Sequence, residues 1–292
     1  MPVRADLAGL VPETRALYAA RGERRGPASA DELRAVRAQL PPVRPPDAHA
    51  GAVPLWVHAP DGTARGAVLD VPGGGFTLGP TAAGLARAAE TARSLGVAVV
   101  VPGYRLAPES PWPAAPDDCE TAARWLLEHA PARFGTSALA VAGSSAGATL
   151  ATTTLLRLRD AGLAGAFAGA VLEYGTFDLS GTTPAGRRIA GEWFLEAYAG
   201  AVADRTLPDV SPAFGDLRGL PPVLLVVGEH DVLLDDDLAM AERLAAAGVD
   251  VDVRVYPEQP HGFTGHPTAM ARAARTERDA WLLARLLGPS GG

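Results

Sequence analysis

The chain contains no lysine and no asparagine, a single isoleucine, Ile189, and a single cysteine, Cys119. Without lysine no Schiff base can form with a carbonyl substrate, and without asparagine there is no acceptor for N-glycosylation. Arginine carries all the permanent positive charge, a bias we attribute to codon usage. A lone cysteine cannot close an internal disulfide. Its acidic neighbours in "PDDCET" raise rather than lower a thiol pKa, so Cys119 is expected to fill space. No apolar run approaches the ~18 residues of a membrane span. The start, "MPVRADLAGLVPETRAL", lacks the basic segment, apolar stretch and small-residue cleavage site of a signal peptide. A soluble, cytoplasmic protein is therefore expected. A net charge of −7 argues against nucleic acid or an anionic membrane as partner. No H-E-x-x-H motif or Cys/His cluster occurs, so neither metal nor cofactor is implied.

The composition, 48% hydrophobic and 20% charged, is that of a globular protein, and 292 residues suit one α/β domain with insertions. Two helix-like patterns, around Glu13–Ala20 and Ala30–Leu40, end at the helix-breaking "PPVRPP". From Val53 strand and helix patterns alternate: "VPLWVH", "RGAVLDVP", a helix near Ala83–Ser94, "VAVVVP", a helix near Asp117–His129, "ALAVAGS", a helix from Ala146 to about Arg159, and "AGAVLEYG". After an interruption near 180–210 come "PPVLLVVG", a helix near Asp236–Ala247, "VDVRVYP" and a helix near Pro267–Leu287. Apolar strands alternating with helices predict a mostly parallel sheet covered on both faces. Its ligands would bind at the carboxyl ends of the strands.

At one such end stands G-x-S-x-G, Gly143-Ser144-Ser145-Ala146-Gly147, between a strand and a helix. The flanking glycines permit the sharp turn of a nucleophile elbow and make its middle residue, Ser145, the candidate nucleophile. Ser144, one place early, is expected to point elsewhere, toward the neighbouring loop. A serine hydroxyl needs a histidine to take its proton, and the histidine needs a carboxylate to orient it. In this architecture the chain order is serine, acid, histidine, which selects Asp231 and His261 and leaves His230 and His266 aside. Taken singly, Asp231 reads as a helix-start residue and His261 as a loop histidine. The oxyanion of a tetrahedral intermediate needs preorganised donors. "VPGGGFTLG" offers the amides of Gly74 and Gly75, and the helix start offers that of Ala146. This glycine-rich loop lacks the G-K-[ST] ending and G-x-G-x-x-G spacing of phosphate loops.

The motifs "GGGF", "YRLAPE" (Tyr104–Glu109), "GSSAG", "GLPPVLLVVGEHDVLLDD" and "HGF", in this order, resemble those of the hormone-sensitive-lipase-like esterases, bacterial family IV of the α/β-hydrolase superfamily. The resemblance spans nearly the whole chain. It implies a single α/β-hydrolase domain over 1–292, with residues 1–45 and the insertion near 180–210 forming a helical cap. It likewise implies Ser145, Asp231 and His261 as the triad and Gly74, Gly75 and Ala146 as the oxyanion donors. "YRLAPE" is expected to be structural, with Arg105 and Glu109 a buried pair. Phe76, Trp193, Phe194 and Tyr198 are candidate pocket residues, the last three at helical spacing and read first as cap core, with a pocket wall as the sharper alternative. Two positions depart from the family pattern: Pro72 stands where its loop begins with histidine, and Ser144 where it usually has aspartate.

The expected activity is a cofactor-independent carboxylesterase acting on small to medium esters through an acyl-enzyme, its partner a small-molecule ester. An amidase, lactonase or tailoring enzyme on the same fold is the alternative, with a non-catalytic ligand-binding protein behind it. The oligomeric state is left open, a homodimer among the options.

Overall fold

The computed structural model describes residues 3–21 and 26–288. Eight strands form one sheet: β1 (Ala48–Ala50), β2 (Val53–His58), β3 (Ala67–Val71), β4 (Ala98–Pro102), β5 (Leu139–Ser144), β6 (Phe167–Glu173), β7 (Val223–Gly228) and β8 (Val251–Tyr256). Their spatial order is β1-β2-β4-β3-β5-β6-β7-β8. Pairing is antiparallel for β1 with β2 and β2 with β4 and parallel from there on. The mostly parallel α/β sheet is as expected from the alternation of apolar runs. The added β1 is too short to leave a sequence pattern.

The helices are α1 (Val11–Arg21), α2 (Ala30–Gln39), α3 (Ala82–Leu95), α4 (Ala114–Phe134), α5 (Ala146–Asp160), α6 (Trp193–Ala199), α7 (Leu234–Ala246) and α8 (Ala269–Leu287). The starts of α2, α3 and α8 are capped by the hydroxyls of Ser29, Thr81 and Thr268, each accepting a backbone N–H of the first turn. Alternation along the strands divides the interior in two. Ala67, Leu69 and Val71 of β3 join the cluster beneath α4 and α5, and Val68 joins the one beneath α3 and α8. Cys119 is fully buried in the first cluster, where burial first and Asp118 second push its thiol pKa up.

At the far edge Val3 bridges Val255, and α1 reaches β8's outgoing loop through Thr14 Oγ1–Gln259 (3.2 Å) and Arg15–Glu258 (2.6 Å). Among the described residues no helix is long and apolar enough to cross a membrane.

Candidate active site

Strands β3, β5, β7 and β8 end on the same side of the sheet, and the loops leaving them carry every residue singled out as catalytic. Between β5 and α5 the backbone turns so tightly that a Cβ on Gly143 would lie 2.3 Å from the Gly147 carbonyl oxygen, and one on Gly147 2.1 Å from that of Val71. Only glycine fits at either place. Ser145 between them adopts φ 53° and ψ −127°, outside the regions an L-residue favours. The Ser145 N–H donates to the Glu173 carbonyl at 2.8 Å, which pins the turn to β6.

His261 reaches Ser145 with Nε2 3.0 Å from Oγ. Its Nδ1 lies 3.0 and 3.1 Å from the two carboxylate oxygens of Asp231. Asp231 is buried and also accepts the Leu233 N–H at 2.9 Å, while the Tyr174 ring and the imidazole pack nearly perpendicular, their centroids 5.1 Å apart. The carboxyl of Asp237 is pushed well above its ordinary pKa by burial, then by Asp231 and Asp236. His230 is exposed, and His266 lies against Tyr18 and Arg21 of α1. The structure therefore brings together the serine, acid and histidine picked by chain order.

The loop after β3 is folded by its own carbonyls. Gly74 O accepts the N–H of Thr77 (3.1 Å) and of Leu78 (3.0 Å), and Gly74 takes φ 129°, where a Cβ would meet Leu78 at 2.6 Å. Among the described residues the N–H groups of Gly74, Gly75 and Ala146 donate to no protein acceptor. All three residues line the same cavity as Ser145. Pro72 keeps its carbonyl oriented by the Tyr104 hydroxyl, at 2.9 Å.

One residue of this loop's support is absent from the sequence expectations. Arg37 of α2 donates to Thr77 O (3.0 and 2.8 Å) and Ala107 O (2.9 Å) and pairs with Glu109 (2.7 Å). This corrects the expected Arg105–Glu109 pair: Arg105 instead grips Asp118 (2.8 Å), and Glu109 is largely exposed. Sequence proximity favoured the wrong partner, because the segment is a turn that sends the two side chains apart.

The candidate pocket residues also separate. Phe194 lies against Gly75 and lines the cavity. Phe76 and Tyr198 are buried and stacked on each other, ring centroids 3.8 Å apart, so they form the packing beneath α6 rather than the cavity wall. Trp193 is not among the lining residues either. Ser144 lies against Gly73 without a hydrogen bond to the loop, and with Pro72 it faces the cavity. The cavity encloses about 690 Å³.

A family model described as the alpha/beta hydrolase fold matches residues 68–265. The chain belongs to the hormone-sensitive-lipase-like esterases of the α/β-hydrolase superfamily. The ethyl acetate hydrolase of Pseudomonas putida is 35% identical over 240 residues, 78% of this chain and 70% of that protein. Carboxylesterase NlhH of Mycobacterium tuberculosis is 35% identical over 69% of this chain and 67% of its own. Among solved structures, a hormone-sensitive lipase from a metagenome library shares 31% identity at a TM-score of 0.73, covering 87% of this chain and 91% of that one. EstE5, soaked with p-nitrophenyl butyrate, shares 26% identity at a TM-score of 0.80, covering 96% and 99%. The chain is accordingly a carboxylic ester hydrolase.

Proposed function

We propose that this hydrolase cleaves small to medium esters through an acyl-enzyme on Ser145. The observation that carries the reading is the continuous relay from Ser145 Oγ through His261 to buried Asp231, with contacts of 3.0 Å at both ends of the imidazole. Neutral His261 takes the Ser145 proton at Nε2 as Oγ attacks the ester carbonyl carbon. The oxyanion that forms accepts N–H bonds from Gly74, Gly75 and Ala146. Asp231 stabilises the resulting imidazolium, which gives its proton to the departing alkoxide. Water then repeats the sequence on the acyl group, losing a proton to His261; the imidazolium returns that proton to Ser145 Oγ as the Oγ–carbon bond breaks and the acid leaves.

The helices before β1 and the segment carrying α6 are read as a cap. Arg37 from the first and Phe194 from the second both touch the oxyanion loop. Such a cover bounds the chain an acyl group can place, so butyryl or hexanoyl esters should turn over faster than palmitoyl ones. The ethyl acetate hydrolase relative supports an ester rather than an amide as the bond cleaved.

The test is substitution of the adjacent serines. Ser145→Ala should lower kcat on p-nitrophenyl butyrate by about 10⁵–10⁶, with Ser144→Ala within about tenfold of the parent. A fluorophosphonate should label the peptide at Ser145. Labelling of Ser144, or activity surviving in Ser145→Ala, would reject the mechanism.

A further inference from the structure

The cavity does not stop at the catalytic residues. It continues along the α3/α8 face of the sheet to Asp70 of β3 and Glu173 of β6, walled by Arg87 from α3 and by Arg275 and Arg278 from α8. Asp70 pairs in register with Ala142, three residues before Ser145, which puts it about 10 Å along the strand from the nucleophile. The two positions that depart from the family pattern, Pro72 and Ser144, both line this same cavity.

The chamber's polar groups are unequally used. Arg278 is held by Glu173 (3.2 Å) and Asp279 (2.6 Å), and Arg275 donates to the Thr264 carbonyl (2.6 Å). Asp70, by contrast, has no hydrogen bond or ion pair among the described residues; it is partly exposed, and it lines the cavity. Glu173 is 8% exposed, and its Oε1 is buried without a hydrogen-bond partner. An unpaired carboxylate away from bulk water is costly unless something donates to it. Arg275 and Arg278 donate to protein, whereas Asp70 and Glu173 Oε1 accept nothing, and among the described residues Arg87, on the exposed side of α3, makes no hydrogen bond or ion pair either.

We infer that this inner chamber is a subsite for an acyl chain bearing a hydroxyl group, which donates to the carboxylate of Asp70. The inference rests on the acyl-enzyme reading of Ser145. The acyl portion is assigned inward because His261 is the partly exposed member of the site, its side chain 39% accessible, and it must protonate the alcohol, which leaves first. The acyl group stays on Ser145 until water arrives and takes the enclosed end. A neutral donor fits better than an ammonium, since three guanidinium groups share the wall with two carboxylates. Burial raises the Asp70 carboxyl to about 6 against the pull of Arg278, consistent with a carboxylate short of donors.

The experiment uses the full chain and four methyl esters of equal acyl length: hexanoate, 6-hydroxyhexanoate, 6-aminohexanoate and the adipate monoester. A chain of about six carbons spans most of the distance to Asp70. Initial rates are followed by acid release in a pH-stat at neutral pH. The hydroxy ester should show a kcat/KM about tenfold above hexanoate, the size expected of one hydrogen bond to a charged acceptor, and should exceed both charged esters. In Asp70→Val that advantage should vanish. Thermal unfolding and fluorophosphonate labelling of Ser145 report whether the variant is folded, and Asp70→Ala replaces it if it is not.

Equal or better turnover of hexanoate by the parent would show that the chamber serves packing or bound water, and would overturn the inference without touching the mechanism at Ser145. Preference for the adipate monoester or the amine would overturn it too, by assigning the wall the opposite chemistry. An advantage that survives both Asp70 variants would remove Asp70 from recognition. If none of the four esters nor p-nitrophenyl acetate is hydrolysed by folded protein, the mechanism itself fails and the subsite falls with it.

Discussion

The acids that follow β7 are packed in protein beside the catalytic residues, whereas Asp70 of β3 and Glu173 of β6 line the cavity, and the two groups are supplied with donors differently. Asp231 receives the Leu233 N–H and His261, Asp236 the N–H groups of Phe177 (2.6 Å) and Asp178 (3.2 Å), and Asp237 that of Gly175 (3.2 Å). Among the described residues Asp70 receives none. In the first set Asp231 is held in one geometry before substrate arrives, as its proposed role in the triad requires. The second leaves its geometry to be completed by whatever enters. Asp231 and Asp70 are the two extremes in protein donors, with Asp237 and Glu173, each holding one buried oxygen without a partner, between them.

That comparison breaks most visibly at Asp231. Asp231→Asn should lower kcat on a short ester by about 10⁴ while leaving KM little changed, because the wrong imidazole tautomer is then favoured. Steady-state rates checked against fluorophosphonate-titrated enzyme would measure it, and a loss below tenfold would mean that the fixed geometry matters little.

Next in size is Arg37, which steadies the oxyanion loop from α2. Arg37→Leu should reduce kcat by about tenfold to a hundredfold through misplaced donors, with KM for p-nitrophenyl butyrate moving less. An unchanged kcat would show that the turn closed by Gly74 O holds the loop without help.

Pro72 stands between the two regions and is expected to matter less. The proposed donors are backbone amides of Gly74, Gly75 and Ala146, and the Tyr104 hydroxyl donates to the carbonyl of Pro72, a group any residue at 72 would carry. Pro72→His should therefore change kcat by less than about tenfold, short of the 10²–10³ that a lost oxyanion donor costs. A hundredfold gain would mean that proline holds the native loop in an unproductive form.

The smallest effect is on stability and belongs to Asp70. Its folded carboxyl titrates at about 6 because of burial, above the unfolded value of about 3.9. Above pH 6 the group is ionised in both states and the folded state carries the whole penalty. As pH falls through 6 toward 4 the folded state binds the proton first and the penalty disappears. The charged groups acting on it are Arg278 and Asp279 of α8, Glu173 of β6 and Arg87 of α3. Asp70→Asn should accordingly raise Tm by about 2–4 °C at pH 7.5 and by much less at pH 5, as scanning calorimetry can show. An equal gain at both values would trace the effect to packing instead of charge.

Much of this was legible in the residues themselves. Gly143 and Gly147 announce a turn that admits no side chain, and an apolar run before it supplies the strand. Chain order was enough to choose Asp231 and His261 over His230 and His266. What could not be read is contact between segments that periodicity does not relate. Arg37 meets Thr77 across a span of forty residues, and nothing in "ELRAVRAQ" distinguishes that arginine from its neighbours. Helical spacing grouped Phe194 with Tyr198, but only the docking of α6 sends one to the cavity and the other onto Phe76. Asp70 sits in a run that otherwise reads as a buried strand, "AVLDV". A lone acid among valines and leucine was the available signal, and it acquires meaning only when Glu173 and Arg278 are seen beside it.

The elbow at Ser145 has a consequence for engineering. A non-glycine residue at φ 53° and ψ −127° is strained, at a cost on the order of 1–3 kcal/mol, and a glycine there would relax it. The substitution that most simply makes this turn more heat-resistant is therefore the one that deletes the proposed nucleophile. Selection for thermal endurance alone, with no demand for turnover, would be expected to drift toward glycine at 145, so a screen for hardier variants has to score catalysis at every round.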